Sequence, residues 1–207
     1  MKRRFGLGAA IAGSFLFAGV TQSADMAATA RDSALARTVR TCGACHGDNG
    51  RSVSPTFPNL AGQTTPYIEA QLKAFKDQTR GDPDAQAYMW GMAAPLDDAL
   101  IADLAAYYTK QSTVAGKSGD SASLDRGKRV FAEGVPARQI VPCSSCHGAH
   151  AEGLATFPRL AGQHAPYLLK QLLAIQNALR NAPVMHGIVK DLTKAQMQDV
   201  TLYLESI

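Results

Sequence analysis

Past residue 20 the sequence has no apolar run long enough to cross a membrane, which takes about 20 residues. Charge is scarce and almost balanced, at 18% of residues and a net +4. That net value falls to +1 if Lys2, Arg3 and Arg4 are lost with a leader, since no acid goes with them. Such a balance excludes a nucleic-acid-binding chain. Period-two alternation of apolar and polar residues is missing, so there is no strand signal. Tryptophan occurs once, at Trp90, and cysteine four times. Apolar residues nevertheless make up 46% of the 207 residues, enough for a packed core in one large or two small domains.

The apolar run that does exist lies at the N-terminus. Lys2, Arg3 and Arg4 precede an uncharged stretch from Phe5 to Val20, and small residues follow at Ser23, Ala24, Ala27 and Ala28. A charged start, an apolar stretch and a small-residue cleavage region are the parts of a secretory signal peptide, read here as residues 1–24. A retained anchor is the alternative, but sixteen residues, four of them glycine, fall short of a bilayer. In an exported chain four cysteines would ordinarily suggest disulfides.

An internal repeat argues otherwise. Cys42-Gly-Ala-Cys45-His46-Gly47 returns as Cys143-Ser-Ser-Cys146-His147-Gly148, offset by 101. Thr56-Phe57-Pro58-Asn59-Leu60-Ala61-Gly62-Gln63 returns as Thr156-Phe157-Pro158-Arg159-Leu160-Ala161-Gly162-Gln163, now offset by 100, followed by Pro66-Tyr67 and Gln71-Leu72 against Pro166-Tyr167 and Gln171-Leu172. Met89-x-Gly91 and Leu96 match Met185-x-Gly187 and Leu192 at an offset of 96. Two tandem domains are therefore expected, 25–112 and 124–207, joined by a Ser/Gly/Lys-rich linker over 113–123.

Both copies read as helix. Pro66 and Pro166 suit a first helical position, and Ile68, Leu72 and Phe75 recur at helical spacing, as do Leu168, Leu172, Ile175 and Leu179. A last helix is expected after an N-cap at Asp97, carrying Leu100, Ile101, Leu104 and Tyr108. Its counterpart follows a Thr193/Gln196 capping box and carries Met197, Val200 and Leu204. The fold class is all-α, with short helices wrapped around a prosthetic group. Domains under ~100 residues bury little apolar surface alone, so the chain without that group should fold poorly.

Cys-x-x-Cys-His names the group. Two thiols three positions apart can each add to a porphyrin vinyl, and the next residue, His46 or His147, can bind the iron; the motif marks covalent c-type haem. A structural zinc site would need a matching second pair close by, and a thioredoxin-like pair would need a βαβ context. Cys42, Cys45, Cys143 and Cys146 are thus the expected attachment points for two haem c. Methionine is the usual sixth ligand of electron carriers. Repeat register selects Met89 and Met185, with Met92 a rival in the first half, whose counterpart Ile188 cannot ligate. Met197 is at core spacing, and His150, His164 and His186 are expected at the surface or in packing, with Trp90 near the first haem. Carbonyls at Pro58 or Pro158 could accept the second imidazole N–H, or these prolines could serve only a turn.

On these motifs the chain, from about Thr41 to Tyr203, resembles the dihaem cytochrome c4 family of periplasmic bacterial proteins. The resemblance implies two tandem class I cytochrome c-like domains related by a pseudo-twofold, each wrapped around a covalent haem whose propionates meet near the interface. It places the iron ligands at His46, Met89, His147 and Met185. It also implies a non-enzymatic electron carrier, a monomer working between respiratory donors such as a cytochrome bc1-type complex and a membrane oxidase or reductase, with peripheral membrane association in some cases. The second half is shorter: Met185 follows His147 by 38 residues, against 43 in the first. Residues 25–116 carry −2 and residues 117–207 carry +3, a dipole that could orient encounter with a partner. A dihaem peroxidase would need an open iron site with acid–base residues beside it, and neither half offers one. A cytochrome subunit bound permanently to a dehydrogenase or oxidase is the other alternative.

Overall fold

A computed structural model describes residues 18–207, with side chains from residue 25 onward. The expected leader lies outside the described residues, apart from residues 18–24 at the start of the first helix. Among the described residues the regular structure is helical, and β pairing is confined to isolated bridges such as Arg80 with Arg180.

In the first half α1 runs unbroken from Ala18 to His46, so the Cys-x-x-Cys-His motif is the last turn of a long helix. Nothing between Asp25 and Cys42 breaks it: the stretch has no proline or glycine. The second half differs for a visible reason. Its first helix, α5 (Ser121–Glu133), stops at Gly134, where φ is 71°. A loop carrying Pro136 and Pro142 follows, and the second motif occupies a separate short helix, α6 (Ser144–His147).

Each half then continues through α2 (Thr65–Lys76) or α7 (Ala165–Gln176), both with proline in the first turn. Ile68 and Phe75 of α2 are buried, as are Leu168 and Ile175 of α7. Leu179 does not extend that stripe; it lies beyond the end of α7 and is 52% exposed. The methionine segments differ as their lengths require. Pro183–Val189 is a plain α-helix, α8. The first half spends four more residues there and makes a π-helical turn, Ala85–Met89, running into α3 (Trp90–Ala93); an extra residue per turn is how a helix absorbs an insertion.

The closing helices are α4 (Asp98–Thr109) and α9 (Lys194–Ser206). Asp97 caps α4 by accepting from Leu100 N at 2.8 Å, and Thr193 and Gln196 form the reciprocal capping box of α9. Two apolar clusters result. One gathers Ile68, Phe75, Leu96, Ile101, Leu104 and Tyr108, and the other gathers Phe131, Leu168, Val189, Met197, Val200 and Leu204.

The repeated polar residues hold the halves together. Gln63 accepts from Arg159 N at 2.7 Å and donates to Arg159 O at 3.0 Å; Gln163 accepts from Asn59 N at 2.8 Å and donates to Asn59 O at 2.9 Å. Each glutamine thus reads the backbone at the position four before its own repeat mate, as a twofold requires. Deeper in the contact, Arg80 donates to Gln71 and Gln171, and Arg180 donates to the same two amide oxygens and to Tyr67 Oη, at 2.7–3.0 Å. The symmetry breaks at one charge. Arg80 Nε pairs with buried Asp82 at 2.8 Å, whereas the repeat mate of Asp82 is Ala182.

Candidate haem sites

The two thiols of the first motif lie at different depths, whereas those of the second are alike. Cys42 and Cys143 are half-buried against the two clusters, Cys45 is exposed and Cys146 is half-buried, and none is in a disulfide. Burial pushes the free Cys143 thiol up to about 11 and the free Cys42 thiol up as well, so both are protonated at neutral pH before haem is attached.

The following histidines are buried and oriented alike. His46 Nδ1 lies 2.8 Å from Pro58 O, and His147 Nδ1 lies 2.9 Å from Pro158 O. A carbonyl can only accept, so Nδ1 carries the proton in each ring and Nε2 keeps its lone pair. Of the two readings open for the prolines, the carbonyl one holds. Burial also lowers the pKa of both imidazoles, against the opposing pull of the proline carbonyls, which keeps the lone pair available. His147 Nε2 is buried with no hydrogen-bond partner. A basic nitrogen enclosed without a partner is costly, and a lone-pair acceptor such as a metal ion would relieve it. Phe57 and Phe157 close the sites, with ring centroids 6.1 and 6.2 Å from the histidine rings.

Met89 packs on the same cluster as Cys42, and Met185 on the same cluster as Cys143. Met92 is 43% exposed, and Met197 is fully buried within the second core, as its spacing predicts. Trp90 packs beside Met89, and its Nε1 donates to Arg80 O at 2.8 Å. His186 Nδ1 is held by Ile175 O at 2.9 Å. His164 is buried between the halves, its Nε2 3.0 Å from Ser52 O. Among the described residues no three Cys, His, Asp or Glu side chains cluster as a structural zinc site would require.

Duplicated thiol pairs, each followed by a buried imidazole with one nitrogen tied to a proline carbonyl, fit covalent haem. The sequence comparisons agree: the cytochrome c family model matches residues 33–111 and again 124–207. The chain belongs to the cytochrome c family. Within it, the chain is similar to cytochrome c-552 of Acidithiobacillus ferridurans, at 44% identity over 80% of this chain and 73% of the relative. It is 34% identical to cytochrome c4 of Azotobacter vinelandii, over 80% and 84% of the two chains. A protein of Thiomonas intermedia named thiosulfate dehydrogenase electron acceptor is 35% identical, over 79% and 76%. The solved cytochrome c4 of Acidithiobacillus ferrooxidans superimposes with a TM-score of 0.76 at 44% identity, covering 80% of this chain and 98% of that one. The fold is thus that of a dihaem cytochrome c4, the cofactors are two covalent haem c groups, and the chain is an electron-transfer cytochrome.

The sequence reading missed the polar contact between the halves. Its signal was present: Gln63, Tyr67 and Gln71 recur at the same offset without being haem ligands, and Arg80 recurs with them as Arg180.

Proposed function

We propose that the protein is a periplasmic dihaem electron shuttle of two domains, 25–112 and 124–207, exported by a signal peptide over residues 1–24. Cys42, Cys45, Cys143 and Cys146 would carry the thioether bonds, His46 and Met89 would ligate the first iron, and His147 and Met185 the second. The observation that carries this reading is the orphaned Nε2 of His147, with Nδ1 tied back in both halves. Bound haem supplies a one-electron ferric/ferrous couple. The residues do the rest. Pro58 and Pro158 hold the imidazoles in one tautomer and strengthen them as donors. Met89 and Met185, each half-buried against its own cluster, would occupy the sixth positions and so leave no open site for a substrate. The Gln63/Gln163 and Arg80/Arg180 contacts fix the separation of the two sites, which limits reorganisation on electron transfer.

The donor would be a cytochrome bc1-type complex or another respiratory protein, and the acceptor a membrane oxidase or reductase. No helix among the described residues is long and apolar enough to cross a membrane; peripheral membrane association belongs to the same reading. A second reading, an acceptor dedicated to one dehydrogenase, is favoured by the Thiomonas relative; a partner that co-purifies in fixed ratio would establish it. The ligands are tested by replacing Met89 and Met185 singly with alanine. Each variant should lose half of the weak absorption of the Met-sulfur–iron bond, and Met92→Ala should lose none. A Met92 variant that lost half would overturn the assignment.

A further inference from the structure

The two halves differ beside the first thiol of each motif. Tyr108, in α4, is 2% exposed, and its hydroxyl is buried without a hydrogen-bond partner. It belongs to the cluster on which Cys42 packs. Its repeat mate, at the offset of 96 that aligns the last helices, is Leu204. The backbone has been shaped to admit the tyrosine. At Gly50, where φ is +77°, an added Cβ would stand 2.8 Å from Tyr108 Cδ1; the repeat mate of Gly50 is Ala151, fully buried where Leu204 replaces the ring. The ring also makes an edge contact with Tyr107, with centroids 5.1 Å apart. A rigid, enclosed hydroxyl with no acceptor is costly to keep, and phenylalanine would fill the same volume without that cost.

We propose that Tyr108 donates a hydrogen bond to the thioether sulfur of Cys42 and so holds the first haem at a higher reduction potential than it would otherwise have. This rests on the haem reading above. A free thiol can donate or accept, but once the sulfur has added to a vinyl group it has no proton and only accepts, so the hydroxyl becomes the donor. The Cys42 thiol is pushed up by burial, while the Tyr108 hydroxyl acts against that rise, so the two groups are neighbours although no hydrogen bond joins them while the sulfur is a thiol. A donor at the sulfur withdraws electron density from the porphyrin edge. It therefore disfavours the ferric state, which carries the additional positive charge. Hydrogen bonds and burial near a haem are established levers on its potential. The second half, with leucine at this place, lacks the lever, so the two sites are made unequal by one oxygen atom.

The test is a redox titration of the full dihaem protein carrying Tyr108→Phe, with each haem followed separately by its hyperfine-shifted methyl resonances. Tyr107→Phe is the control, since that hydroxyl bonds Asn49 Oδ1 at 2.7 Å and not the sulfur. The expected result is two haems per chain and a first-haem ferrous/ferric ratio, at fixed ambient potential, about threefold lower. That is ~28 mV at 59 mV per tenfold for a one-electron couple. The second haem and the Tyr107 variant should not move. Unmoved potentials in Tyr108→Phe, equal shifts of both haems, or the same shift in Tyr107→Phe would each overturn the proposal. With two haems still counted, any of these would leave the carrier reading intact.

Discussion

Replacing Gly127 with alanine would put a methyl group into the crossing of α5 and α9. Its Cβ would stand 2.1 Å from Asp199 O, 2.6 Å from Asp199 C and 2.8 Å from Tyr203 Cβ. The obstacle is backbone, so no side-chain rotation relieves it. Recovering an ordinary 3.4 Å contact needs the helices to part by roughly 1.3 Å. Phe131, Met197 and Val200, all buried between or beside these helices, would lose contact. Alanine gains ~1 kcal/mol over glycine in a helix interior, whereas overpacking costs about 1–3 kcal/mol and more when backbone must shift. The clash wins, and a net loss of about 2 kcal/mol is expected. For a half of this size that lowers the melting midpoint by roughly 10 °C. The assay is thermal unfolding of the dihaem protein followed by haem absorption and circular dichroism. Gly43→Ala is the control. That glycine is helical, an added Cβ meets nothing within 4 Å, and its repeat mate is Ser144, so no loss is expected. A Gly127 variant as stable as the parent would refute the described crossing.

Two further predictions concern the contact between the halves. Arg80→Met strands the Asp82 carboxylate, whose side chain is only 3% exposed, and should cost about 3 kcal/mol or more in denaturant titrations. Adding Asp82→Leu should recover most of that loss. The second concerns acid. Burial opposes the Asp82 charge, but the Arg80 guanidinium overcomes it and holds the carboxyl below its usual value. A depressed carboxylate contributes stability that is complete above its unfolded pKa of about 3.9 and is lost as pH falls through the lower folded value. Unfolding midpoints should therefore drop more steeply below pH ~4 in the parent than in Asp82→Asn, and parallel curves would contradict the pairing.

Much of the site could be read from the residues because haem attachment is local. Five consecutive positions specify it, and the repeat displays them twice. The caps at Asp97 and Thr193 were legible for the same reason: capping is decided within four residues. What the sequence could not reveal was non-local. Whether Pro58 and Pro158 bonded the histidines depended on a loop closing over 12 and 11 residues. Leu179 kept the helical period and still fell outside α7, because Asn177 and Ala178 end that helix first. For His164 the surface and a packed position were equally open, and it is buried against the other half, an environment that only docking creates. The π-helical turn before Met89 was visible only as four surplus residues.

The central claim is two covalent haems in one chain, each low-spin between histidine and methionine. It is tested most directly by counting haem per chain as the pyridine complex and recording optical spectra, on protein exported with a c-type maturation system. The account predicts two haems per chain and the weak Met-sulfur–iron absorption at full strength. One haem, none, or a persistent high-spin iron would contradict it.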